Sequence, residues 1–151
     1  MKYKKFIISA FVLPMLALPF VANADDDNVP PIKDALVLEE CGACHLAFQP
    51  AFLPKASWKK MMNDLENHFG EDASLDNDSA KAIEAYLVAN SRTGKNVNAN
   101  NPPLRITELR WFKHEHSERE AKNMMKKLKV KSFVECAACH RGADKGLYDD
   151  D

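Results

Sequence analysis

Apolar positions along the chain fall into two kinds of run. The first is nearly uniform: Phe6 to Val21, 16 positions behind Lys2, Lys4 and Lys5, ending at Ala22-Asn23-Ala24 ahead of three aspartates. This is the pattern of a secretory signal peptide with an A-x-A cleavage site. The run is broken by Pro14 and Pro19 and is short for a bilayer-spanning helix, though an uncleaved anchor is the competing reading. Later segments interleave charges every few positions, so none of them is apolar enough to span a membrane. Residues 1–24 are therefore expected to be removed, leaving a soluble chain from Asp25.

Everywhere else the apolar spacing is helical. KDALVLEECGACH, residues 33–45, predicts a short helix carrying Leu36, Val37 and Leu38, and Pro50 and Pro54 then force a loop. In SWKKMMNDLENHFG, from Ser57, the residues Trp58, Met61, Met62, Leu65, His68 and Phe69 share one helical face, with Gly70 as a C′ residue. Asp76, Asp78 and Ser79 offer caps for a helix that presents Ile83, Tyr86 and Leu87 on one side. Residues 91–103, SRTGKNVNANNPP, are polar and rich in Asn and Pro, and read as a linker. Beyond it, Ser117 to Glu120 and Ser132 to Glu135 each fit the S-x-x-E capping box. The expected fold is all-α, with short helices and long loops arranged as two small lobes, residues 25–95 and 96–151.

Charge narrows the function classes. Without the signal lysines the chain carries 18 basic and 22 acidic side chains, which excludes nucleic-acid binding by charge. Residues 25–100 are net acidic and 101–151 net basic, an asymmetry that a protein partner can use for orientation or that simply reflects solvated faces.

The four cysteines carry the chemistry. They lie in CGACH, residues 41–45, and CAACH, residues 136–140, each pair two residues apart and closed by a histidine. In an exported chain, four cysteines ordinarily mean two disulfides. The C-x-x-C-H spacing is instead the attachment signature of c-type haem: two thiols add to the haem vinyl groups as thioethers and the adjacent imidazole reaches the iron. A Cys₄ zinc site would leave both histidines unexplained, and a thioredoxin-like dithiol would want one motif beside a βαβ pattern. Two covalently attached haem c groups are therefore expected, held by Cys41 and Cys44 with His45, and by Cys136 and Cys139 with His140.

Each iron then needs a sixth ligand unless its site stays open. Three histidines remain: His68, on the apolar helical face, and His114 and His116, two apart and pointing in different directions. The capping box at Ser117 holds His116 at the start of a helix, whereas His114 lies between Lys113 and Glu115 and is the solvent-facing fallback. His68 lies 23 residues after His45, and His116 lies 24 before His140. That spacing favours pairing within each lobe; crossed pairing also fits the sequence. Methionine is the other possible ligand, but Met61-Met62 and Met124-Met125 sit on helical faces where core packing explains them.

The chain resembles the family of small periplasmic dihaem cytochromes c, the DHC family, over nearly the whole mature sequence. The resemblance rests on ECGACHLAF, FLPKASWKKMM, LENHFGEDASLD, IEAYLVANS, ITELRWFKHEH and SFVECAACHRGADKGLYDD, which recur in that order. It implies a mostly helical two-lobe protein with bis-histidine haems, His68 and His116 being the distal ligands. It also implies partners: a membrane-bound cytochrome b as donor and a small oxygen-binding c-type haem protein as acceptor. The function expected is a periplasmic electron carrier with two low-potential haems. The alternative is a haem enzyme or gas sensor with one open five-coordinate iron. A core of about sixty residues per lobe is thin, so the porphyrins should supply missing apolar surface and the haem-free chain should be largely unfolded.

Overall fold

Asp34 starts the first helix. Its carboxylate accepts from the Val37 N–H at 3.1 Å, filling one of the donors that a helix N-terminus leaves free, and α1 runs Ala35–Gly42. The computed structural model describes residues 28–92, 98–116 and 118–148. The expected signal segment, residues 93–97 of the linker, the Ser117 cap and the last three aspartates lie outside them. Further helices are α2 (Lys55–Met62), α3 (Asn77–Asn90), α4 (Arg110–Glu115) and α5 (Glu118–Leu128). Short 3₁₀ turns at Pro50–Phe52, Leu65–Asn67, Ile106–Glu108, Cys136–Ala138 and Ala143–Lys145 fill the intervals. No strand occurs among the described residues, only two isolated bridges, so the chain is all-α as expected.

The core lies between α1, α2 and α3. Ile32, Val37, Ala47, Leu53, Trp58, Ile83 and Leu87 are buried together there. Asp76 caps α3, accepting from the N–H groups of Asp78 and Ser79, both at 3.0 Å. The same helix buries Ile83 and Leu87, and the Tyr86 hydroxyl accepts from Lys33 N–H at 3.0 Å. Trp58 pins α2 onto the preceding turn, its indole N–H donating to the Pro50 carbonyl at 2.9 Å.

Later residues fold back on this unit. The fully buried Gln49 donates through Nε2 to the Ala143 carbonyl at 2.7 Å and accepts from the Tyr148 hydroxyl at 2.6 Å. Phe52 packs against both Trp111 and Tyr148, with ring centroids 5.5 and 5.1 Å apart. Val29 N–H bonds the Gly146 carbonyl at 2.9 Å. Gly146 has φ of 79°, and a Cβ there would lie 2.1 Å from the Val29 carbonyl oxygen, so only glycine allows this approach.

Three local expectations are corrected. The helix expected to carry His68 stops at Met62: Asn63 and Asp64 leave the helical path, and Asn67 instead ties to Asp64, Nδ2 to Oδ1, at 2.6 Å. His68 follows the 3₁₀ turn, and Phe69 and Gly70 then take positive φ values of 55° and 109°. α1 ends at Gly42, three residues before His45. The helix expected over Cys136 to His140 is one 3₁₀ turn: Glu135 does turn its carboxylate back to the N–H groups of Ser132 and Lys131 at 3.0 and 3.2 Å, as a capping box requires, but its backbone takes φ −82°, ψ 55°, outside the helical region.

Candidate haem sites

At the first motif, the last turn of α1 carries Cys41, and the chain leaves the helix at Gly42 so that Cys44 and His45 lie in the following turn. Burial, reinforced by the charge of Glu40, pushes the Cys41 thiol up, which keeps it as S–H near neutral pH. His45 Nδ1 lies 2.8 Å from the Leu46 carbonyl; with Nδ1–H donating there, the Nε2 lone pair is free for a metal. Its ring stacks against Phe48 at 5.0 Å. The turn after α2 brings His68 opposite it, with centroids 6.2 Å apart and ring planes 19° apart. Burial, then the neighbouring His45 and Arg105, lower the pKa of His68, so its imidazole stays neutral and able to ligate. The Arg105 guanidinium lies 4.1 Å from the centre of the adjacent Phe69 ring.

The second site is built from the other direction along the chain. His116 follows α4, its N–H and its ring Nδ1 both meeting the Phe112 carbonyl, at 2.9 and 3.1 Å. The Phe112 ring lies on the His116 ring, 4.0 Å centre to centre and within 7° of parallel. Phe133 presents its edge to both. The 3₁₀ turn Cys136–Ala138 delivers His140, whose N–H returns to the Cys136 carbonyl at 2.8 Å. His140 faces His116 at 6.1 Å with planes 79° apart, and Tyr148 flanks it at 5.4 Å. Burial raises the Cys136 thiol as it does Cys41.

The structure thus brings together His45 with His68 and His116 with His140, each pair within its own half. His114 joins neither pair: its side chain is 85% exposed and bonds the neighbouring Glu115 at 3.0 Å. No disulfide joins any two of the four cysteines, and no group of three or more His, Cys, Asp or Glu able to hold a metal ion occurs among the described residues, which leaves each C-x-x-C pair beside its own histidine.

These residues fit two haems. Metal–imidazole bonds of about 2.0 Å, with each ring centre about 1.1 Å beyond its nitrogen, place two axial rings about 6.2 Å apart, against 6.2 and 6.1 Å observed. Large apolar side chains left exposed include Leu38 on α1, Phe69 beside His68, Met124 and Leu128 on α5, and Val134 ahead of the second motif. Leu38 and Val134 lie just ahead of the two motifs in the chain, and Phe69 beside His68, where a porphyrin face would cover them. Trp111 Nε1 is buried without a hydrogen-bond partner among the described residues, and a haem carboxylate is a group that would accept from it.

Sequence reasoning missed Phe112, Gln49 and Tyr148. Phe112 stands four residues before His116, a helical interval that pointed to it; Gln49 and Tyr148 meet across 99 residues, which no local pattern records.

A family model described as dihaem cytochrome c matches residues 37–148. Among solved structures, the diheme cytochrome c from Rhodobacter sphaeroides is 45% identical, with TM-score 0.69 over 79% of this chain and 99% of that one. The DHC structure sb-DHC from Shewanella baltica OS155 is 36% identical, with TM-score 0.64 over 76% of this chain and 86% of that one. No curated protein matches the chain. With paired imidazoles at both motifs and the family match across them, the chain belongs to the dihaem cytochrome c family and carries two covalently bound haem c groups.

Proposed function

We propose that this cytochrome is an electron carrier whose irons are each held between two histidines: His45 and His68 at the haem of Cys41 and Cys44, His116 and His140 at the haem of Cys136 and Cys139. The observation that carries the reading is the spacing of the two imidazole pairs, 6.2 and 6.1 Å, which suits one iron between each. When bound, each haem supplies a one-electron ferric/ferrous couple. The chain's part is to occupy both axial positions, leaving no place for a reactant, and to hold the rings in a fixed tautomer through the Leu46 and Phe112 carbonyls. Bis-histidine ligation favours low potentials.

The signal-like residues 1–24 support export to the periplasm, where haem c is attached. The family resemblance supports a membrane-bound cytochrome b as donor and a small oxygen-binding c-type haem protein as acceptor. The basic run 122–131, KNMMKKLKVK, is suited to guide an acidic partner.

Single replacement of His68, His114 and His116 by alanine, followed by optical and EPR spectra of both oxidation states, tests the proposal. Low-spin haem should become high-spin in His68→Ala and in His116→Ala only. Loss of ligation in His114→Ala, or a high-spin ferric signal and rapid carbon monoxide binding in the unaltered protein, points instead to an enzyme or sensor with an open iron.

A further inference from the structure

The two imidazole pairs have the same spacing but different attitudes. The rings of His45 and His68 are nearly parallel, with planes 19° apart, while those of His116 and His140 are nearly perpendicular, 79° apart. At the second site the ring of His116 is fixed twice by one residue. The Phe112 carbonyl takes the Nδ1 contact at 3.1 Å, and the Phe112 ring, buried and buttressed by the edge of Phe133, lies flat on the imidazole at 4.0 Å. Rotation of His116 about its Cβ–Cγ bond would break both contacts at once. Among the described residues no ring lies flat on His68 in this way, its neighbour Phe69 being tilted by 59° and exposed.

We infer that Phe112 is a positioning residue that fixes the His116 imidazole across the plane of His140, and thereby makes the two haem irons electronically unlike. The inference rests on the bis-histidine reading above. An axial imidazole donates to the metal through the π orbital normal to its plane. Parallel rings act on the same iron d orbital and separate it from its partner; perpendicular rings act on one each and leave the pair nearly degenerate. A low-spin ferric iron with a nearly degenerate pair keeps more orbital angular momentum, and its EPR signal collapses to one feature at large g. The iron between parallel rings gives three resolved g values. Ring orientation set by outer-shell contacts is an established means of tuning a metal.

EPR of the fully oxidised holoprotein tests this. Two low-spin species are expected in equal amount: one rhombic, one with a single large-g feature. His68→Ala should convert the rhombic species to high spin and His116→Ala the large-g species, which assigns each signal to its site. Phe112→Leu removes the flat ring and should move the large-g feature alone toward a resolved rhombic signal, with the first haem unchanged; Phe112→Tyr, which keeps a ring of the same plane, should retain it. Two rhombic signals in the unaltered protein overturn the inference, a result that needs no variant to fold. So does a large-g feature that survives Phe112→Leu in a low-spin haem. If His116→Ala leaves both signals low-spin, it is the ligand reading that fails rather than the role of Phe112.

Discussion

Replacing Gln49 with leucine tests what holds the C-terminal residues against the first half of the chain. Gln49 is fully buried, gives its amide N–H to the Ala143 carbonyl at 2.7 Å and takes the Tyr148 hydroxyl at 2.6 Å. Leucine keeps most of the volume and removes both bonds, each worth about 1 kcal/mol net. The orphaned partners are not stranded, because the Tyr148 hydroxyl already lies 3.2 Å from the Ala143 carbonyl. The expected loss is therefore about 2 kcal/mol, at the low end for breaking a buried polar network. Tyr148→Phe leaves the Gln49 carbonyl oxygen buried and unpaired and should also cost about 2 kcal/mol. Because the two substitutions share one bond, the double variant should fall short of the sum by about 1 kcal/mol. Urea unfolding of the holoprotein followed by far-UV circular dichroism, with m-values checked for constancy, measures the cycle. Additivity to within about 0.3 kcal/mol would refute the reasoning, since independent side chains share no bond.

Other expectations follow from the same contacts. Gly146→Ala forces a Cβ against the Val29 carbonyl in a left-handed conformation, so it should cost at least about 2 kcal/mol and lower the thermal midpoint by several degrees. A midpoint within a degree of the parent's would show that Val29 does not sit there. Burial lifts the Tyr148 phenol above its ordinary value of 10.0. The stability it confers is complete below that value and declines as pH rises through the folded-state pKa, so alkaline loss of stability should be smaller in Tyr148→Phe. Equal alkaline slopes in parent and variant would argue against it. A chain with all four cysteines replaced by serine, and so without attached haem, should show little helix by circular dichroism; a cooperative thermal transition in that protein would contradict the dependence of folding on haem.

The parts of this fold that depend on neighbours in sequence were legible in advance. Asp76 caps where short polar residues precede apolar periodicity, and Ile83 and Leu87 face inward because they lie four apart on one helix. The motif cysteines and histidines were legible because their spacing is itself the chemistry. Boundaries were less so. The apolar spacing from Trp58 to Phe69 is helical, yet Asn63 and Asp64 have weak helix propensity, Asp64 accepts from the Asn67 side chain, and the helix ends there. Whether His68 meets His45 or crosses to the other half is a matter of tertiary packing, for which spacing of 23 residues is only suggestive. The same holds for Phe112: its interval from His116 is visible in the sequence, but the stacking of one ring on the other is not.

The reversed order of the two halves has a consequence in polymer terms. Motif precedes partner histidine in one half and follows it in the other, and each pair closes within its own half. On the proposed ligation, an iron between each pair would close residues 45–68 and 116–140 into two rings that share no segment of the sequence. For a permanent cross-link, a ring of that length removes about 3.4 kcal/mol of unfolded-chain entropy, and two separate rings contribute it twice without sharing a segment. Residues 69–115, with α3 at their centre, belong to neither ring. Opening one ring would leave the other intact, so the proposed ligation makes the chain two separately stapled segments joined by an unstapled middle.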